Sequence, residues 1–315
     1  MTSSNSLKLG WIGTGRMGYA LATRLLDAGY DLTAYNRTRA KAEPLTAKGA
    51  TIVDHPKDLA GLDVVFIMVS APKDLEQVIY GENGLLTVEG KAPKIIVDSS
   101  TVSEEVSAKV RAAAAEKGAT FLAAPVSGNP AVIAAGKLTV AVSGPRASFE
   151  DVKPLLETFG HGVTWVGEGE VARLVKIAHN VYLGIVIQAL AEITVLAERG
   201  GVSRAAFLEF LNDSVMGSTF SRYKSPALVN LDFAATFTIP LLSKDFDLGL
   251  AAAHDLKVPM PLASATSQLI ASAGGAGYLT EDFAVLIKEQ ARRSGYEIES
   301  ENTKVISGLE VSKDE

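Results

Sequence analysis

The feature that most restricts the fold of this chain lies near its start, where a short apolar strand runs directly into a glycine-rich turn. Residues 7–12 read as the strand, residues 19–28 as a helix that ends at Gly29, and residues 31–35 as a second strand. The turn itself reads Gly13-Thr14-Gly15-Arg16-Met17-Gly18. A G-x-G-x-x-G turn between a strand and a helix is typical of dinucleotide-binding sheets. The order predicts a Rossmann-type, doubly wound parallel α/β domain.

Each glycine of this turn has its own physical role. Gly13 makes the tight turn, Gly15 lets the backbone approach a pyrophosphate, and Gly18 lets the helix pack closely on the strand. The phosphates then bind the unpaired amides at the helix N-terminus. Alone, such a turn is weak evidence because glycine-rich loops match it by chance. Between a strand and a helix it predicts a nucleotide site, to which Arg16 and Met17 also belong.

The end of the second strand indicates which dinucleotide binds. An NAD site usually has an acidic residue about twenty positions after the glycines, where it accepts hydrogen bonds from ribose hydroxyls. Here that position reads Asn36-Arg37-Thr38, without an acid. The forked donors of Arg37 can grip a 2′-phosphate, while Asn36 and Thr38 add neutral groups. The sequence therefore favours NADP(H), and a solvated basic turn is the open alternative.

Further short strands continue the sheet. They alternate with helical or turn segments, and they lie at residues 50–53, 64–69, 94–97, 136–144 and 163–166. Ligands of doubly wound sheets bind beyond the carboxyl ends of the strands. We therefore expect Val69 and Ser70 to contact the cofactor. Thr101 follows another strand in the same way, although Thr101 or Ser103 also fits an ordinary helix cap.

A long apolar helix follows the last of these strands. Apolar residues recur at three- and four-residue spacing from residue 171 to the glycine stop at Gly200. Lys176 and Asn180 are four apart, so they share one helix face and would present an amine and an amide to the same site. A lysine seldom sits among apolar side chains unless a partner or a task holds it there. A snorkelling lysine on a helix that only joins two domains is the open alternative.

The chain divides into predicted parts around this helix. Beyond Gly200 the strand signal disappears, and helices are predicted at residues 204–211, 221–229, 243–256, 262–272 and 282–294. We expect a nucleotide-binding domain over residues 1–166, an interdomain helix over 167–200 and an all-helical domain over 201–296. Residues 297–315 read as a polar, disordered tail. Lys244 and Asp245 are expected at a helix start, where an aspartate fits a cap.

The composition of the chain limits which binding partners are expected. The net charge of −6 gives no electrostatic reason to expect nucleic acid or an anionic membrane surface. The absence of cysteine excludes thiolate metal sites, and the four histidines show no ligand spacing, so we expect no metal. The first residues lack the basic start of a secretory signal, and the long helix reads as too polar to span a bilayer. We expect a cytoplasmic protein.

Six motifs occur in a fixed order along the chain. They are Gly13-Thr-Gly15-Arg-Met-Gly18, Asn36-Arg37-Thr38, Asp98-Ser-Ser-Thr101, Ala124-Pro-Val-Ser127-Gly128, Gly167-x-Gly169 with Lys176-x-x-x-Asn180, and Lys244-Asp245. This order resembles the β-hydroxyacid dehydrogenases, the group of 3-hydroxyisobutyrate dehydrogenase, tartronate semialdehyde reductase and plant glyoxylate/succinic semialdehyde reductase. The resemblance implies a Rossmann domain, a long interdomain helix and a helical domain for substrate binding and for assembly into homodimers or homotetramers.

The resemblance also implies roles for individual residues. Lys176 resembles the catalytic acid/base, and Asn180 resembles its neighbouring substrate contact. Ser127 and Gly128 resemble the turn that holds the carboxylate of a small substrate. Contacts to the cofactor are implied for two further residues, Thr101 at the nicotinamide ribose and Lys244 from the helical domain.

Two positions depart from the family pattern. The carboxylate turn is usually Ser-Gly-Gly, but here Asn129 and Pro130 follow Gly128, so the turn gains a side chain and loses backbone freedom. The helix usually carries paired asparagines, and His179 replaces the first. Since both changes lie near the predicted substrate, Asn129 is included among the predicted substrate contacts. Both changes bear on which acid binds.

The predicted function is interconversion of a small 3-hydroxyacid and its semialdehyde or oxoacid with NADP(H). Lys176 would donate a proton to the developing alkoxide in reduction and accept it in oxidation. Two alternatives remain open. Imine reductases are similar over the first domain but typically have Asp or Tyr at the lysine position. A non-catalytic NADP-binding module would keep Arg37 and the glycines without needing Lys176 or Asn180.

Overall fold

The computed structural model describes residues 7–310, which form two compact units divided between Lys176 and Ile177. The first unit is built on one sheet. Its strands are β1 Leu9–Ile12, β2 Leu32–Tyr35, β3 Thr51–Ile52, β4 Val64–Ile67, β5 Ile95–Asp98, β6 Thr120–Ala123, β7 Val126–Ser127, β8 Thr139–Ser143 and β9 Gly162–Gly167. Their order is β3-β2-β1-β4-β5-β6-β8-β7, and β9 pairs with β8.

The strand directions confirm the predicted doubly wound fold. Strands β1 to β6 pair in parallel, and β1 lies between β2 and β4. Strand β8 runs antiparallel to β6 and β7 and parallel to β9. The chain crosses from one side of β1 to the other after β3, and ligands of such sheets bind at this switch in strand order.

The central strands are buried on both faces, as the apolar runs of the sequence require. On one face Trp11 stacks on Phe66 with ring centroids 5.5 Å apart, and Phe159 packs edge-on against both rings. Ile12 belongs to the apolar cluster on the opposite face. The Trp11 indole N–H also donates to the carbonyl of Gly13 at 2.9 Å, so the core holds the start of the glycine turn.

Helices cover the sheet and build the second unit. In the first unit they are α1 Arg16–Asp27, α2 Pro72–Tyr80, α3 Glu104–Glu116, α4 Pro130–Ala134 and α5 Arg146–Leu156. The long helix α6, Val171–Arg199, contains the division between the units. The second unit continues with α7 Arg204–Asp213, α8 Thr219–Asn230, α9 Ile239–Asp255, α10 Pro261–Gly275 and α11 Leu286–Arg293. The predicted long helix and helical C-terminal part are confirmed.

Helix α6 was predicted to be too polar to span a bilayer, but by length and composition alone it is long and apolar enough to cross a membrane. One such helix is weak evidence for a membrane span, because the core helix of a folded domain passes the same test. Half of the most apolar stretch of α6 is buried inside the structure. The helix packs through Val181, Ile187 and Ala191 into the apolar core of the second unit.

Three local predictions in the second unit are wrong. Helix α9 begins at Ile239, so Lys244 and Asp245 lie in its second turn; Pro240 in the first turn starts the helix earlier than Ser243 suggested. The segment predicted as one helix over residues 282–294 is divided into a 3-10 turn at Phe283–Val285 and α11.

The third wrong prediction is the disordered tail. Residues 297–310 pack on the helical unit: Ile298 is buried, and the Glu301 carboxylate accepts the backbone amides of Arg204 at 2.6 Å and Ala205 at 3.1 Å. Thr303 exchanges backbone hydrogen bonds with the Asn230 side chain. Glu301 also lies 3.9 Å from the Arg204 guanidinium, so polar residues of this segment bond to the helices. The last five residues of the predicted tail, 311–315, lie outside the described residues.

Candidate functional site

One glycine of the turn has room for a side chain, whereas the other two are packed too closely for one. A Cβ on Gly13 would lie 2.2 Å from the Met68 carbonyl oxygen, and one on Gly18 would lie 1.9 Å from the Gly13 carbonyl oxygen. Gly13 also has φ +94°. By contrast, nothing lies within 4 Å of a Cβ on Gly15, the residue that precedes the first turn of α1. The backbone at Gly15 therefore has open space in which a phosphate could approach the helix amides.

A cleft of about 160 Å³ opens at this turn, at the carboxyl ends of β1, β2 and β4. It brings together seven residues predicted to bind the cofactor, namely Gly13, Gly15, Asn36, Arg37, Thr38, Val69 and Ser70. The other lining residues are Ile12, Tyr35, Lys41, Met68, Asp74, Gln77 and Val78. Arg16 and Met17 begin α1 directly after Gly15. A single cleft thus joins the glycine turn to the basic turn after β2.

The turn after β2 is fixed to the glycine turn by an asparagine. The Thr14 N–H donates to Asn36 Oδ1 at 2.9 Å, and Asn36 Nδ2 donates to the Thr38 carbonyl at 2.9 Å. Arg37 Nη1 lies 2.7 Å from Asp74 Oδ1, and 80% of the Arg37 side chain is exposed. An exposed ion pair contributes about 0–1 kcal/mol, so a stronger anion could displace Asp74 from Arg37. Burial raises the pKa of Tyr35, and the Arg37 charge partly opposes this.

Lys41 is a cleft residue that the sequence reading missed. It is exposed, lies at the end of the short 3-10 helix Arg39–Lys41 and lines the cleft together with Arg37. Arg39 differs because its guanidinium pairs with Asp54 at 2.5 Å and it is absent from the cleft lining. The available signal in the sequence was the run of three alternate cations, Arg37, Arg39 and Lys41.

The loops after β4 and β5 are joined by side chains. The Val69 N–H donates to Ser100 Oγ at 2.9 Å, and the Ser100 N–H donates to Asp98 Oδ1 at 3.0 Å. Thr101 is half-buried in the same loop, and Ser103, rather than Thr101, caps α3. The loop that carries Thr101 is therefore attached to the cleft through Ser100.

The predicted carboxylate turn lies between β7 and α4. Gly128 has φ +145°, and a Cβ there would lie 2.7 Å from Leu138 and 2.8 Å from Val132. Ser127 and Asn129 are half-buried, while Gly128 is exposed. The Asn129 side chain caps α4 by accepting the Val132 N–H at 3.1 Å. Asn129 thus has a structural task in the first turn of α4, which the sequence reading did not predict.

Lys176 is half-buried in the second turn of α6. Three residues before it, the sequence reading missed Arg173, whose side chain is buried against the carboxyl end of β5. Arg173 Nη2 donates to Asp98 Oδ2 at 2.6 Å, and Nη1 donates to the Ser100 carbonyl at 2.5 Å. The first turn of α6 is thereby fixed to the loop that also holds Val69.

In the second unit Asn180 is held by a buried carboxylate. Asn180 Nδ2 donates to Asp245 Oδ2 at 2.5 Å, and Lys244 Nζ lies 3.1 Å from Asp245 Oδ1. His179 Nδ1 lies 3.1 Å from Asn180 Oδ1. Asp245 was expected as a helix cap, but its partner is 65 residues away in sequence. The structure therefore groups Asn180, Lys244 and Asp245 within this unit.

Comparison with known proteins identifies the family. Residues 8–167 match the model of the NAD binding domain of 6-phosphogluconate dehydrogenase, and residues 167–289 match that of the NAD-binding domain of NADP-dependent 3-hydroxyisobutyrate dehydrogenase. The chain is 32% identical over 295 residues to 2-(hydroxymethyl)glutarate dehydrogenase of Eubacterium barkeri, covering 93% of this chain and 98% of the relative. The chain belongs to the β-hydroxyacid dehydrogenase family.

Other relatives match most of this chain and support the same family assignment. Glyoxylate/succinic semialdehyde reductase 1 of Arabidopsis thaliana is 29% identical, with 90% of this chain and 98% of the relative covered. A crystal structure of 3-hydroxyisobutyrate dehydrogenase from Salmonella typhimurium superposes with a TM-score of 0.78 at 28% identity, covering 90% of this chain and 99% of that one. The protein is therefore an NAD(P)-binding oxidoreductase of this family.

The residues present fit an NAD(P) cofactor. The open space at Gly15 suits a pyrophosphate, and the donors of Asn36, Arg37 and Lys41 lie where the adenosine ribose of a dinucleotide falls. Within residues 7–310, no group of three or more His, Cys, Asp or Glu residues could hold a metal ion. The donors of the cleft are cationic or neutral side chains and backbone amides, which suits a phosphorylated ligand.

Proposed function

We propose that this chain is an NADP(H)-dependent dehydrogenase that interconverts a small 3-hydroxyacid and its semialdehyde or oxoacid. The observation that carries the proposal is the position of Lys176 on α6. It follows Arg173 by three residues, and Arg173 is bonded to Asp98 and Ser100 at the carboxyl end of β5. Ser100 in turn holds Val69, which lines the nucleotide cleft. A titratable amine thus stands on a helix attached to the cofactor-binding loops.

The proposed chemistry assigns one proton to Lys176. When bound, NADP(H) supplies the hydride in reduction and accepts it in oxidation. In reduction the Lys176 ammonium donates a proton to the oxygen of the substrate carbonyl as that oxygen becomes an alkoxide. In oxidation the neutral amine accepts the hydroxyl proton. Asn180, one helical turn later, would orient the substrate oxygen without adding charge.

The substrate carboxylate is assigned to the turn between β7 and α4. The Ser127 hydroxyl and the amides near Gly128 would donate to it, because backbone amides and hydroxyls bind anions without a second charge. Asn129 would border this site from its capping position. Thr101 and Lys244 are proposed as cofactor contacts by resemblance to the family. The names of two relatives, a hydroxymethylglutarate dehydrogenase and a succinic semialdehyde reductase, support a substrate with a carboxylate.

NADP(H) is proposed over NAD(H) because of the charges in the cleft. Arg37 and Lys41 both line it, and the turn after β2 carries no acid where an NAD site has one. Two cations can share a doubly charged 2′-phosphate, whereas the 2′-hydroxyl of NAD offers them no negative charge.

A homodimer or homotetramer is proposed as the working form. On α6, Tyr182 is 68% exposed and Leu196 is 73% exposed, and both belong to the second unit. Burial of these two side chains against another copy would remove apolar surface from water. Analytical ultracentrifugation at micromolar concentration would give the assembly size, and a monomer at that concentration would contradict this part of the proposal.

A coenzyme and substrate screen tests the function. We expect oxidation of NADPH with glyoxylate, succinic semialdehyde, tartronate semialdehyde or methylmalonate semialdehyde, and reduction of NADP with the matching hydroxyacids. Activity with cyclic imines but not with these aldehydes would favour an imine reductase instead. Binding of NADP(H) without turnover of either class would indicate a binding module.

The role of Lys176 is tested by Lys176→Ala. Because the lysine acts in proton transfer, we expect kcat to fall by roughly a hundredfold or more. NADPH affinity, measured by fluorescence titration, should change little because no cofactor contact is assigned to Lys176. Lys153→Ala is the matched control, since Lys153 lies on α5 and pairs only loosely with Glu157 at 3.7 Å. Turnover of Lys176→Ala within a few-fold of wild type would refute the proton-transfer role.

A further inference from the structure

A fully buried ion pair lies at the start of the helix that carries Lys176. The side chains of Arg173 and Asp98 are 1% and 0% exposed, and their charged groups are 2.6 Å apart. Asp98 is the last residue of β5, in the middle of the sheet between β4 and β6. Arg173 also reaches Ser107 on α3, with 3.2 Å between Nε and Oγ. One guanidinium therefore contacts the end of a strand, the loop after it and a neighbouring helix.

Physical chemistry gives no stability reason for this pair. Burying two charges costs several kcal/mol per ion, and replacing such pairs with apolar side chains of similar volume is often neutral or stabilising. Arg173 is also the third residue of α6, where the positive end of the helix dipole disfavours a cation. A cation that is buried and unfavourably placed on its helix is better explained by the geometry it enforces.

The geometry it enforces runs from the nucleotide cleft to Lys176. Val69 lines the cleft, and its amide donates to the Ser100 hydroxyl. Ser100 is bonded through its amide to Asp98 and through its carbonyl to Arg173. Lys176 follows Arg173 by three residues on the same helix, within the same unit. Every step between Val69 and α6 is a hydrogen bond between buried or half-buried groups.

We propose that Arg173 and Asp98 are positioning residues for the proton transfer assigned to Lys176. The pair fixes the first turn of α6 to the carboxyl end of β5. It thereby sets the position of Lys176 along the helix axis, and its rotation about that axis, relative to the loop that binds the cofactor. This inference rests on the proposed function, because it acts through Lys176. Ser143 also bonds to Ala172 in the first turn of α6, and Arg111 bonds to Gly169 just before it, but within residues 7–310 neither is bonded to the loops after β4 and β5.

The expected size of the effect follows from geometry. A displacement of about 1 Å in a reacting group can lower the rate by about a hundredfold, without loss of ligand affinity. For Arg173→Met we expect kcat to fall by about 10- to 100-fold while the KM for NADPH stays within about threefold. Arg173→Lys keeps the charge against Asp98 but loses the forked bonds to Ser100 and Ser107. It should recover part of the lost turnover.

A mutant cycle between Arg173 and Lys176 separates positioning from other roles. If Arg173 acts through Lys176, Arg173→Met should slow the wild-type enzyme but have almost no further effect on Lys176→Ala. Equal fractional losses in both backgrounds would overturn the inference. Near-wild-type turnover of Lys176→Ala would instead refute the proposed function, so the two failures are distinguishable.

A charge-free double variant keeps the test valid if Arg173→Met alone fails to fold. Asp98→Asn with Arg173→Met removes both buried charges and keeps an acceptor for the Ser100 amide. We expect thermal stability near wild type, with kcat still lowered about 10- to 100-fold. Arg204→Met is the matched control, a buried arginine in the second unit whose loss should lower the melting temperature but not kcat. Wild-type kcat in the double variant would overturn the inference.

Discussion

At the scale of single residues, the charges around Arg37 determine how the coenzymes are distinguished. Arg37 pairs with Asp74, and both line the cleft with Lys41. Removal of Arg37 would therefore have two effects on a 2′-phosphate: it removes a forked donor and leaves the Asp74 carboxylate to repel the phosphate. Neither effect applies to the neutral ribose hydroxyl of NADH.

The corresponding prediction concerns Arg37→Ala. A charge-assisted contact is worth about 1.5–3 kcal/mol, so wild type should prefer NADPH by about ten- to a hundredfold or somewhat more in kcat/KM. The variant should lose most of this preference through a higher KM for NADPH, which steady-state kinetics with both coenzymes would measure. Arg39→Ala is the control, since Arg39 pairs with Asp54 and Glu43. Equal use of both coenzymes by wild type would contradict the prediction.

A second residue-scale prediction concerns Asn129. If its side chain borders the acid site, Asn129→Gly should change the relative kcat/KM for short and long carboxylic acids. The cap on α4 is lost in this variant, but replacing an Asn cap with Gly costs only a few tenths of a kcal/mol, roughly. Asn129→Ser keeps a capping oxygen and serves as the control. Unchanged substrate ratios in Asn129→Gly would place Asn129 outside the acid site.

The sequence predicted residues whose roles follow from local spacing. Gly13, Gly15 and Arg37 belong to patterns only a few residues long, and the structure places all three in one cleft. Arg173 and Asp245 were not assigned their observed contacts because their partners lie 75 and 65 residues away in sequence. Such pairs depend on which elements pack together, and periodicity carries no information about that packing.

At the scale of elements, the glycines of the turn between β1 and α1 have different tasks: Gly13 and Gly18 are required for packing, and Gly15 is assigned to cofactor binding. Gly18→Ala would push a methyl group against the Gly13 carbonyl, and Gly13→Ala would push one against the Met68 carbonyl, so both should destabilise the first unit. Gly15→Ala meets no neighbour within 4 Å, but its methyl would stand where a pyrophosphate approaches the helix amides.

We therefore predict opposite phenotypes for two of these glycines. Gly15→Ala should keep a wild-type melting temperature and bind NADPH at least about tenfold more weakly, a loss of about 1.4 kcal/mol. Gly18→Ala should show a clearly lower melting temperature. Thermal unfolding and fluorescence titration on the same samples measure both quantities, and Gly61→Ala, where an added Cβ meets nothing within 4 Å, controls for loss of a glycine elsewhere. Tight NADPH binding by Gly15→Ala would show that the phosphates lie elsewhere.

Boundaries of elements were harder to predict than their existence. The parallel sheet and the long helix were predictable because their apolar runs extend over several residues and glycines mark where helices end. The start of α9 was not, because Ser243 resembles a cap while the helix begins at Ile239, with Pro240 in its first turn. This shift places Asp245 inside the helix, where it is buried and bonded to Asn180.

At the scale of the whole molecule, the described C-terminal residues secure the helical unit. Arg204 is fully buried at the start of α7 and contacts Glu198, Glu301 and the carbonyl of Glu299. The Tyr296 hydroxyl donates to the other carboxylate oxygen of Glu198, and burial raises the pKa of Tyr296 to about 12. Two residues of the segment that was predicted to be disordered, Glu299 and Glu301, therefore contact a buried arginine, which composition could not reveal.

The last prediction is the effect of shortening the chain. A chain that ends at Tyr296 loses the Glu301 carboxylate, which accepts two amides at the start of α7, and the Glu299 carbonyl that faces Arg204. Leaving a buried charge short of partners costs about 3–5 kcal/mol. The melting transition of the helical unit should therefore fall by roughly 6–20 °C, at about 2–4 °C per kcal/mol.

Matched variants assign this loss to the contacts. A chain that ends at Glu310 keeps every contact described for this segment and should melt like the full chain. Glu301→Gln keeps the length but removes the negative charge at the N-terminus of α7, so its melting temperature should lie between the two. Differential scanning calorimetry of all four proteins measures the series. A chain ending at Tyr296 that melts with the full-length protein would show that residues 297–310 add no stability, and that Glu198 and the Val229 carbonyl suffice for Arg204.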